Sequence, residues 1–214
     1  VGIKDAVGKL EMWEELAVMM KETGFGPDFI TIDGGEGGTG AAPPSFADHV
    51  ALPWVYGFSS VYKLFQRYGL TERITFIGSG KLGMPESAIM ALAMGVDLIN
   101  VAREAMMSIG CIQAQVCHTN KCPAGIATQN KWRQNGINIP LKSDRLAQYF
   151  KTFRKELVEI THAAGYEHPC QMSMTDVNMS MGDSNYTASL KEIYKYDKVP
   201  VDFNGVEQLI STTD

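Results

Sequence analysis

Two hydrophobic patterns alternate along residues 1–120, one typical of strands and one typical of helices. Apolar residues recur at helical spacing at Leu10, Trp13, Leu16 and Met19 or Met20, in a segment that ends in glycine. Short apolar runs predict four strands, in the segments VGIKDAV, FITID, RITFIGSG and VDLINVARE. Strands that alternate with helices at this distance predict βαβ units and a parallel sheet, which is an α/β fold.

Three further helices are predicted in the segments GFSSVYKLFQRYG, MPESAIMALAMG and AMMSIGCIQAQV. Ser59 or Ser60 is expected to cap the first of these helices, and Gly69 is expected to end it. Four strand–helix units could form a small doubly wound sheet. They could equally form half of an eight-stranded barrel, which needs about 250 residues in full. The periodicity leaves both architectures open.

A long helix is predicted after the fourth unit. Its apolar residues share one stripe, which consists of Leu146, Phe150, Phe153, Leu157, Ile160 and Ala164. Ser143 or Asp144 is expected to cap this helix, Gly165 to end it, and its stripe to pack on the preceding domain. From Tyr166 the chain is polar and rich in Met. We expect one short helix near Ala188–Tyr194 and otherwise an extended or partly disordered tail.

Composition excludes several classes of protein. The 214 residues are 45% hydrophobic and 20% charged with a net charge of -5, which is ordinary for a globular protein. No cluster of Lys and Arg is present, so we expect no nucleic-acid partner. The apolar run AIMALAMG is too short to cross a membrane, and VGIKDAVGKL lacks the apolar core of a signal peptide. We therefore expect a cytoplasmic protein. The missing initiator Met suggests a piece of a longer chain.

The loop DGGEGGTGAAPP, after the second predicted strand, is a candidate ligand site. It contains Gly34, Gly35, Gly37, Gly38 and Gly40, and glycines let a ligand approach the backbone N–H groups closely. The alternative is a flexible surface loop. The buried strand before the loop and the two prolines after it favour ligand contact.

The turn IGSGKLG, after the third strand, resembles a phosphate-binding turn at a helix N-terminus, although this signal is weak by itself. In barrels, the loops after the last two strands often build one phosphate site together, so the expected partner of this turn is NVARE. Arg103 could add charge there or form a structural ion pair. Lys4 lies inside an apolar strand, so it is expected to face a polar site unless the strand is misassigned at its edge.

Three of the four cysteines, Cys111, Cys117 and Cys122, fall within the segment GCIQAQVCHTNKCPAGIATQ. This crowding predicts a metal or cluster site in a reducing compartment. The spacing is C-x5-C-x4-C followed by Pro, and a Cys-Pro ending recurs in ferredoxin-type iron–sulfur ligation. A zinc site would have to recruit His118 as its fourth ligand. Unliganded thiols are the third possibility, and the spacing leaves all three open.

Four segments together carry a family resemblance: GGTGAAP, LPWVYG, IGSGKLGMPESAIMALAMGVD and GCIQAQVCHTNKCPAGIATQ. They resemble the FMN-binding synthase domain of glutamate synthases and, more closely, the stand-alone glutamate synthase-like FMN proteins. The resemblance runs from Val1 to Gly165, and its cysteine block is highly specific. It implies α/β units that form the second half (strands five to eight) of a TIM-type barrel, followed by a cysteine-rich loop and a long helix.

The resemblance also implies a role for each candidate site residue. Cys111, Cys117 and Cys122 would hold a 3Fe–4S cluster, and Lys4 would be a catalytic residue beside the flavin. A cation near the flavin stabilises its reduced anion, and backbone donors hold its phosphate. The implied FMN-binding residues are Gly34, Gly35, Gly37, Gly38, Thr39, Gly78, Ser79, Gly80, Lys81, Ala102 and Arg103.

The implied organisation has four parts: residues 1–110 as the C-terminal half of the barrel, 111–142 as the iron–sulfur loop, 143–165 as a packing helix and 166–214 as a tail. The family reduces 2-iminoglutarate, formed from 2-oxoglutarate and ammonia, to L-glutamate, with electrons from ferredoxin or a pyridine-nucleotide-linked donor. We expect no amidotransferase domain in this chain.

A half-barrel exposes an apolar edge. We therefore expect the chain to meet the N-terminal half of its parent protein or to form a homo-oligomer. The alternative function is a non-catalytic iron–sulfur module, for electron transfer or sensing, on a barrel remnant.

Overall fold

The central sheet has four parallel strands: Gly2–Ala6 (β1), Phe29–Asp33 (β2), Thr75–Ser79 (β3) and Leu98–Ile99 (β4). The computed structural model describes residues 1–36, 42–48, 50–182 and 186–199. The strands pair in the sequential order β1-β2-β3-β4. The α/β class and the four strand–helix units are therefore confirmed. A sequential order is compatible with part of a barrel, since a doubly wound sheet reverses its strand order part-way across.

Helices connect the strands and continue after the sheet. They are Glu11–Thr23 (α1), Pro44–Ala47 (α2), Trp54–Arg67 (α3), Pro85–Met94 (α4), Arg103–Ser108 (α5), Lys131–Gln134 (α6), Ile139–Ala163 (α7) and Leu190–Tyr194 (α8). Single turns of 3-10 helix occur at Thr71–Arg73, Cys117–Thr119 and Pro169–Gln171. A separate antiparallel hairpin is formed by Asn178–Ser180 (β5) and Thr187–Ser189 (β6).

The core lies between the sheet and α3. Phe76 of β3 makes edge-on ring contacts at 6.0 Å with both Phe58 and Phe65 of α3. Ile30 and Ile32 of β2 are completely buried, and Ile30 pairs with Phe76 across the sheet. Because side chains alternate across a strand, these residues face α3 and the residues between them face the opposite side.

The predicted apolar face of α1 is confirmed in part. Trp13 and Met20, two helical turns apart, are buried, and Leu16 packs against the core. Leu10 and Met19 are 39% and 45% exposed, so they lie at the edge of the face. Of the two methionines, Met20 therefore belongs to the core.

The predicted end of α3 is confirmed, but its predicted start is wrong. Gly69 follows the helix with a φ of +68°, a left-handed conformation that glycine adopts without strain. Ser59 and Ser60 lie inside the helix and cap nothing. The helix begins at Trp54, whose N–H donates to the Glu36 carboxylate at 2.6 Å. The cap comes from the loop after β2, so it is a tertiary contact that the local sequence does not reveal.

The fourth strand is shorter than predicted. Only Leu98–Ile99 pairs as a strand, although the N–H groups of Asp97 and Asn100 also donate to carbonyls of β3. Beyond Asn100 the chain leaves the sheet, because α5 begins at Arg103, inside the segment predicted as strand.

The helix predicted to lead into the cysteines is also shorter. It ends at Ser108 as α5, and Gly110 follows with a φ of +105°. The N–H groups of Gly110 and Cys111 donate to carbonyls of the last turn, which closes the helix. The first cysteine therefore lies outside the helix, in a loop.

The long helix α7 is present, but its predicted cap is wrong. Asn138 accepts the N–H of Leu141 at 3.1 Å, whereas Ser143 and Asp144 lie inside the helix. The side chain of Asn138 supplies an acceptor at the position where the first helical N–H groups lack one. At the other end, Gly165 has a φ of +87°, as a helix stop should.

The predicted stripe of α7 is correct in part. The described side chains that are buried or half-buried along one face include Leu146, Tyr149, Phe153, Leu157 and Thr161. Phe150 and Ile160 are 42% and 37% exposed, and Ala164 is exposed, so these three predictions are wrong. The contacts of α7 run to α4 and α5. No helix in the described ranges is long and apolar enough to cross a membrane.

The segment after α7 differs most from its prediction. The short helix was expected near its observed position, but the hairpin of β5 and β6 was not. Residues 166–182 and 186–199 contribute buried side chains to the fold: Met172, Met174, Ala188, Leu190, Tyr194, Tyr196 and Lys198. The Met-rich composition, which suggested an extended tail, instead supplies apolar contacts to the core.

Two side chains of this segment close the C-terminal end of α4. The Tyr196 hydroxyl donates to the Met94 carbonyl at 2.9 Å, and the Lys198 ammonium donates to the Leu92 carbonyl at 3.1 Å. Both carbonyls belong to the last turn of α4, where a helix lacks its own donors. The charge of Lys198 also suits the negative end of the helix dipole. The segment thus caps the helix as well as burying it.

Asp176 holds the first turn of the segment together. Its carboxylate accepts the N–H of Ser173 at 2.7 Å, the hydroxyl of Ser173 at 2.8 Å and the hydroxyl of Tyr166 at 2.9 Å. Burial alone would raise the pKa of Asp176, but these hydrogen bonds and the charge of Lys198 outweigh it and hold the pKa below its usual value.

Replacing Tyr196 with Phe should lower the free energy of unfolding by about 1–2 kcal/mol, because the buried Met94 carbonyl loses its donor. Urea denaturation measures the change. The control is Tyr186→Phe, at a position 60% exposed, which should change stability by less than about 0.5 kcal/mol. Equal effects of the two substitutions would show that the helix cap contributes nothing.

The low pKa of Asp176 predicts an acid-dependent loss of stability. A carboxyl with a depressed pKa stabilises the fold above its unfolded-state pKa, about 4, and this contribution disappears as the pH falls through its folded-state pKa. We expect Asp176→Asn to be less stable than the wild type at pH 7 and to lose less stability between pH ~4 and more acidic values. Urea denaturation at a series of pH values tests this. Parallel pH profiles for the two proteins would contradict it.

Candidate functional site

The carboxyl ends of β1 to β4 meet at one edge of the sheet, because all four strands are parallel. The turns that follow them are joined through the backbone. The Gly34 N–H donates to the Ser79 carbonyl at 2.8 Å, and the Asn100 N–H donates to the Gly78 carbonyl at 2.8 Å. The edge brings together most of the predicted FMN-binding residues: Gly34, Gly35, Gly78, Ser79, Gly80, Lys81, Ala102 and Arg103. Gly37, Gly38, Thr39 and Gly40 lie outside the described residues.

Lys4 lies on the face of the sheet opposite α3. It pairs with Thr31 in register, and its ammonium contacts the Asp33 carboxylate at 2.9 Å. The Lys4 side chain is 52% exposed, so this ion pair adds little to stability, but it fixes the direction of the cation. Asp33 is not among the site residues predicted from the sequence. The sequence signal that could have revealed Asp33 is an acidic residue at the end of an apolar strand. In the structure, Asp33 lies two positions beyond Thr31, the register partner of Lys4.

The turn between β3 and α4 presents free backbone donors. Lys81 has a φ of +55°, which is rare for a residue with a side chain. Within the described part of the chain, the N–H groups of Gly80, Lys81, Leu82 and Gly83 donate to no acceptor. Successive N–H groups in such a turn form a concave site for an anion. The donors therefore fit a phosphate group.

One contact holds this turn from outside the sheet edge, and a second joins the segments after β2 and β4. The Tyr149 hydroxyl of α7 donates to the Gly83 carbonyl at 2.6 Å. Arg103, at the start of α5, lies 3.7 Å from the Asp48 carboxylate, and both side chains are half-buried. Arg103 was expected either to add charge at a phosphate site or to form a structural ion pair. Among the described residues, it forms the ion pair.

The cysteine loop (residues 111–130) has an unusual backbone. Gln113, Gln115 and Asn120 have φ angles of +53°, +55° and +62°. Left-handed backbone costs roughly 1–2 kcal/mol per residue outside glycine, and such strain concentrates at functional sites. With Lys81, these residues are four of the five non-glycine residues with positive φ in the described chain. The strain therefore falls largely in the two predicted sites.

Hydrogen bonds from neighbouring residues hold the cysteine loop in this shape. The Asn120 amide oxygen accepts the Thr128 hydroxyl at 2.8 Å and the Gln129 N–H at 2.6 Å. The Arg133 guanidinium donates to the Lys121 carbonyl at 2.9 Å and to the Cys122 carbonyl at 3.3 Å. The backbone beside the last cysteine is thus fixed by side chains of the same loop and of α6.

The thiols of the loop have amide donors directed at them. Burial raises the pKa of the Cys122 thiol, but backbone N–H groups of residues 124–127 outweigh this effect and lower the pKa. The Cys111 sulfur accepts the Gln113 N–H at 3.4 Å. Amide donors favour the thiolate, the form that binds metal. The donor chemistry therefore fits a thiolate-held metal group.

The thiols are not gathered around one point. No three side chains of His, Cys, Asp or Glu among the described residues are arranged to hold a metal ion, either with Cys117 or with His118. Cys111, Cys117, Cys122 and Cys170 are all free thiols. The loop thus supplies suitable sulfur ligands without the closed geometry of a bound cluster.

Comparison with known proteins shows what the chain is related to. Residues 8–167 match the family described as "Conserved region in glutamate synthase". The chain belongs to the glutamate synthase family. The family region covers all of the sheet edge except β1, and it includes the whole cysteine loop.

Individual relatives agree with this family membership. The chain is 43% identical, over 83% of its length, to the glutamate synthase large subunit-like protein YerD of Bacillus subtilis. It is 37% identical, over 65% of its length, to the ferredoxin-dependent glutamate synthase of Pyropia yezoensis. It is 34% identical, over 64% of its length, to the archaeal glutamate synthase (NADPH) of Methanocaldococcus jannaschii.

This glutamate synthase-family chain matches only part of each relative. The matches span 34% of the Bacillus subtilis protein, 9% of the Pyropia yezoensis protein and 27% of the Methanocaldococcus jannaschii protein. Activities in the names of these relatives therefore belong to much longer proteins.

Asn120→Ala should lower the free energy of unfolding by about 1–3 kcal/mol, because it removes two hydrogen bonds and places alanine in left-handed backbone. It should also speed the reaction of the buried Cys122 thiol with Ellman's reagent. Asn120→Gly removes the same bonds but relieves the backbone strain, so we expect a smaller loss of stability.

The matched control for this prediction is Asn135→Ala, at an exposed position next to α6. It should change neither stability nor thiol reactivity. If Asn120→Ala behaves like the control, Asn120 does not brace the cysteine loop.

Proposed function

We propose that this chain is part of an FMN- and iron–sulfur-dependent oxidoreductase of the glutamate synthase type. The proposal rests on one observation at the carboxyl edge of the sheet. The free N–H groups of the β3–α4 turn lie at the same end of the sheet as Lys4 and Asp33. The free donors suit a phosphate and the cation suits an electron-rich ring, and FMN contains both. Family membership supports the same reading.

In this proposal, FMN is held by backbone rather than by many side chains. The phosphate binds the N–H groups from Gly80 to Gly83, and Lys81 adds a positive charge. Gly34, Gly35, Ala102 and Arg103 line the neighbouring turns. Bound FMN supplies the capacity to pass a hydride to a substrate or to accept single electrons.

Lys4 holds a positive charge at the face of the flavin site. Its ion pair with Asp33 places the ammonium group beside the carboxyl end of β2. A directed cation stabilises negative charge that develops on the ring or on a substrate carboxylate.

Cys111, Cys117 and Cys122 hold a 3Fe–4S cluster in this proposal. Amide N–H groups directed at Cys111 and Cys122 favour the thiolate form that the cluster needs. The cluster supplies single electrons. The braced backbone around Asn120 and Arg133 is expected to hold Cys122 in place, while Cys111 and Cys117 move to meet the cluster.

The proposed substrate is 2-iminoglutarate, formed from 2-oxoglutarate and ammonia, and the proposed product is L-glutamate. The proposed electron donor is ferredoxin or a pyridine-nucleotide-linked protein, since relatives are named for ferredoxin and for NADPH. Residues 1–110 would form the C-terminal half of a barrel that the N-terminal half of the parent protein, or a second copy, completes. Phe29 and Leu98, 41% and 56% exposed, are apolar residues that such a partner would cover.

The test is the visible absorption spectrum of protein purified without oxygen, before and after dithionite, together with its iron content. We expect a flavin spectrum on top of broad cluster absorbance, both bleached by the reductant. Cys117→Ser should lose the iron and the broad absorbance. The matched control is Cys170→Ser, which changes the fourth thiol, outside the cysteine loop, and should keep both.

Each outcome has a distinct meaning. A Cys117→Ser protein that keeps its iron would remove the cluster assignment. Broad absorbance without a flavin spectrum would favour the non-catalytic iron–sulfur module. A colourless wild-type protein would contradict cofactor binding by this chain.

A further inference from the structure

Trp54 lies at the carboxyl edge of the sheet, beside the turns after β2 and β3. It belongs to the segment LPWVYG, begins α3 and is 1% exposed. Its ring stacks on Phe58 of the same helix at 5.0 Å. None of the roles proposed above uses this residue.

The ring and Cβ of Trp54 pack against Gly34 and Gly80, in the turns after β2 and β3, and against Gly78 of β3. A Cβ atom added to Gly80 would lie 2.5 Å from the Trp54 Cβ, and one added to Gly34 would lie 2.6 Å from it and 1.8 Å from the Glu36 carboxylate. A Cβ atom added to Gly78 would lie 2.9 Å from the Leu82 side chain and 3.0 Å from the Trp54 ring. Real Cβ atoms do not approach within 3.0 Å, so the Trp54 side chain leaves no room for a side chain at Gly34 or Gly80.

A carboxylate fixes the backbone of Trp54. The Glu36 carboxylate accepts the Trp54 N–H at 2.6 Å, which links the loop after β2 to the start of α3. The other oxygen of Glu36 and the indole N–H of Trp54 are the buried side-chain polar atoms that lack a partner among the described residues. Unpaired buried polar atoms are costly and rare, and they concentrate where a bound group or water completes the structure.

We propose that Trp54 is a positioning residue, which holds the turns after β2 and β3 in the shape that receives the FMN phosphate. The proposal rests on the function proposed above. Because the ring fills the space beneath Gly78 and Gly80, the turn cannot collapse towards the core, and its N–H groups from Gly80 to Gly83 stay directed outward. Trp54 thus acts on the phosphate through the backbone rather than by touching the reacting atoms.

The test compares Trp54→Phe with Phe65→Leu. Both substitutions reduce a buried aromatic side chain of α3, but Phe65 packs on Phe76 and is not among the nearest neighbours of the three glycines. FMN and riboflavin, which lacks the phosphate, are titrated into each protein by flavin fluorescence. Urea denaturation measures stability in parallel.

Trp54→Phe should weaken FMN binding by roughly tenfold, because small displacements of a binding turn have large effects on affinity. Riboflavin binding should change by less than about twofold, since the loss concerns the phosphate alone. Phe65→Leu should change the affinity for neither ligand at a similar loss of stability. Equal effects of the two substitutions on FMN affinity, or an equal loss of FMN and riboflavin affinity in Trp54→Phe, would overturn the proposal.

A second measurement separates this inference from the proposed function. The exchange rates of the Gly34 and Asn100 amides, which join the turns, are compared with that of the Asp97 amide, which donates to the Phe76 carbonyl at 2.9 Å. Trp54→Phe should speed exchange at Gly34 and Asn100 relative to Asp97, and Phe65→Leu should not. If the wild type binds no flavin, the proposed function fails, and unchanged exchange ratios would then overturn the positioning role as well.

Discussion

The parallel pairing of β1 to β4 in sequential order is the constraint on which the structure depends. Parallel neighbours cannot be joined by a tight turn, so each strand must be followed by a connection that returns across the sheet. That requirement creates α1, α3 and α4, and it places every strand-to-helix turn at the same edge. A lysine within β1, an aspartate at the end of β2 and the glycines of the following turns therefore meet in space, although they are spread over residues 4–80.

The candidate site at this edge consists mainly of backbone N–H groups, and glycines occupy the positions where its backbone packs closely against other residues. Gly78 and Gly80 let the chain pass close to Trp54. A Cβ atom at Gly80 would lie 2.5 Å from the Trp54 Cβ, and one at Gly78 would lie 2.9 Å from the Leu82 side chain and 3.0 Å from the Trp54 ring. Packing against the core therefore accounts for both glycines. Lys81, which follows Gly80, has left-handed backbone.

The cysteine loop and the segment after α7 show opposite uses of polar side chains. In the cysteine loop, Asn120 and Arg133 hold a strained backbone, and amides directed at the sulfurs keep the thiols suited to metal. In the later segment, Tyr196 and Lys198 bond the last carbonyls of α4, so polar groups there serve stability. The match to the glutamate synthase family covers residues 8–167, so it includes the cysteine loop and stops before Tyr196 and Lys198.

Sequence patterns alone predict the α/β class, the four strand–helix units, the glycine stops at Gly69 and Gly165 and the position of the candidate turns. These features depend on local periodicity and on backbone conformations that only certain residues adopt without strain. Three other features come from tertiary contacts. These contacts cap α3 with Glu36, pair Lys4 with Asp33 and fold the Met-rich segment onto α4. Each of these depends on a contact between residues distant in the chain, and no local pattern encodes which distant partner will supply a missing donor, acceptor or apolar surface.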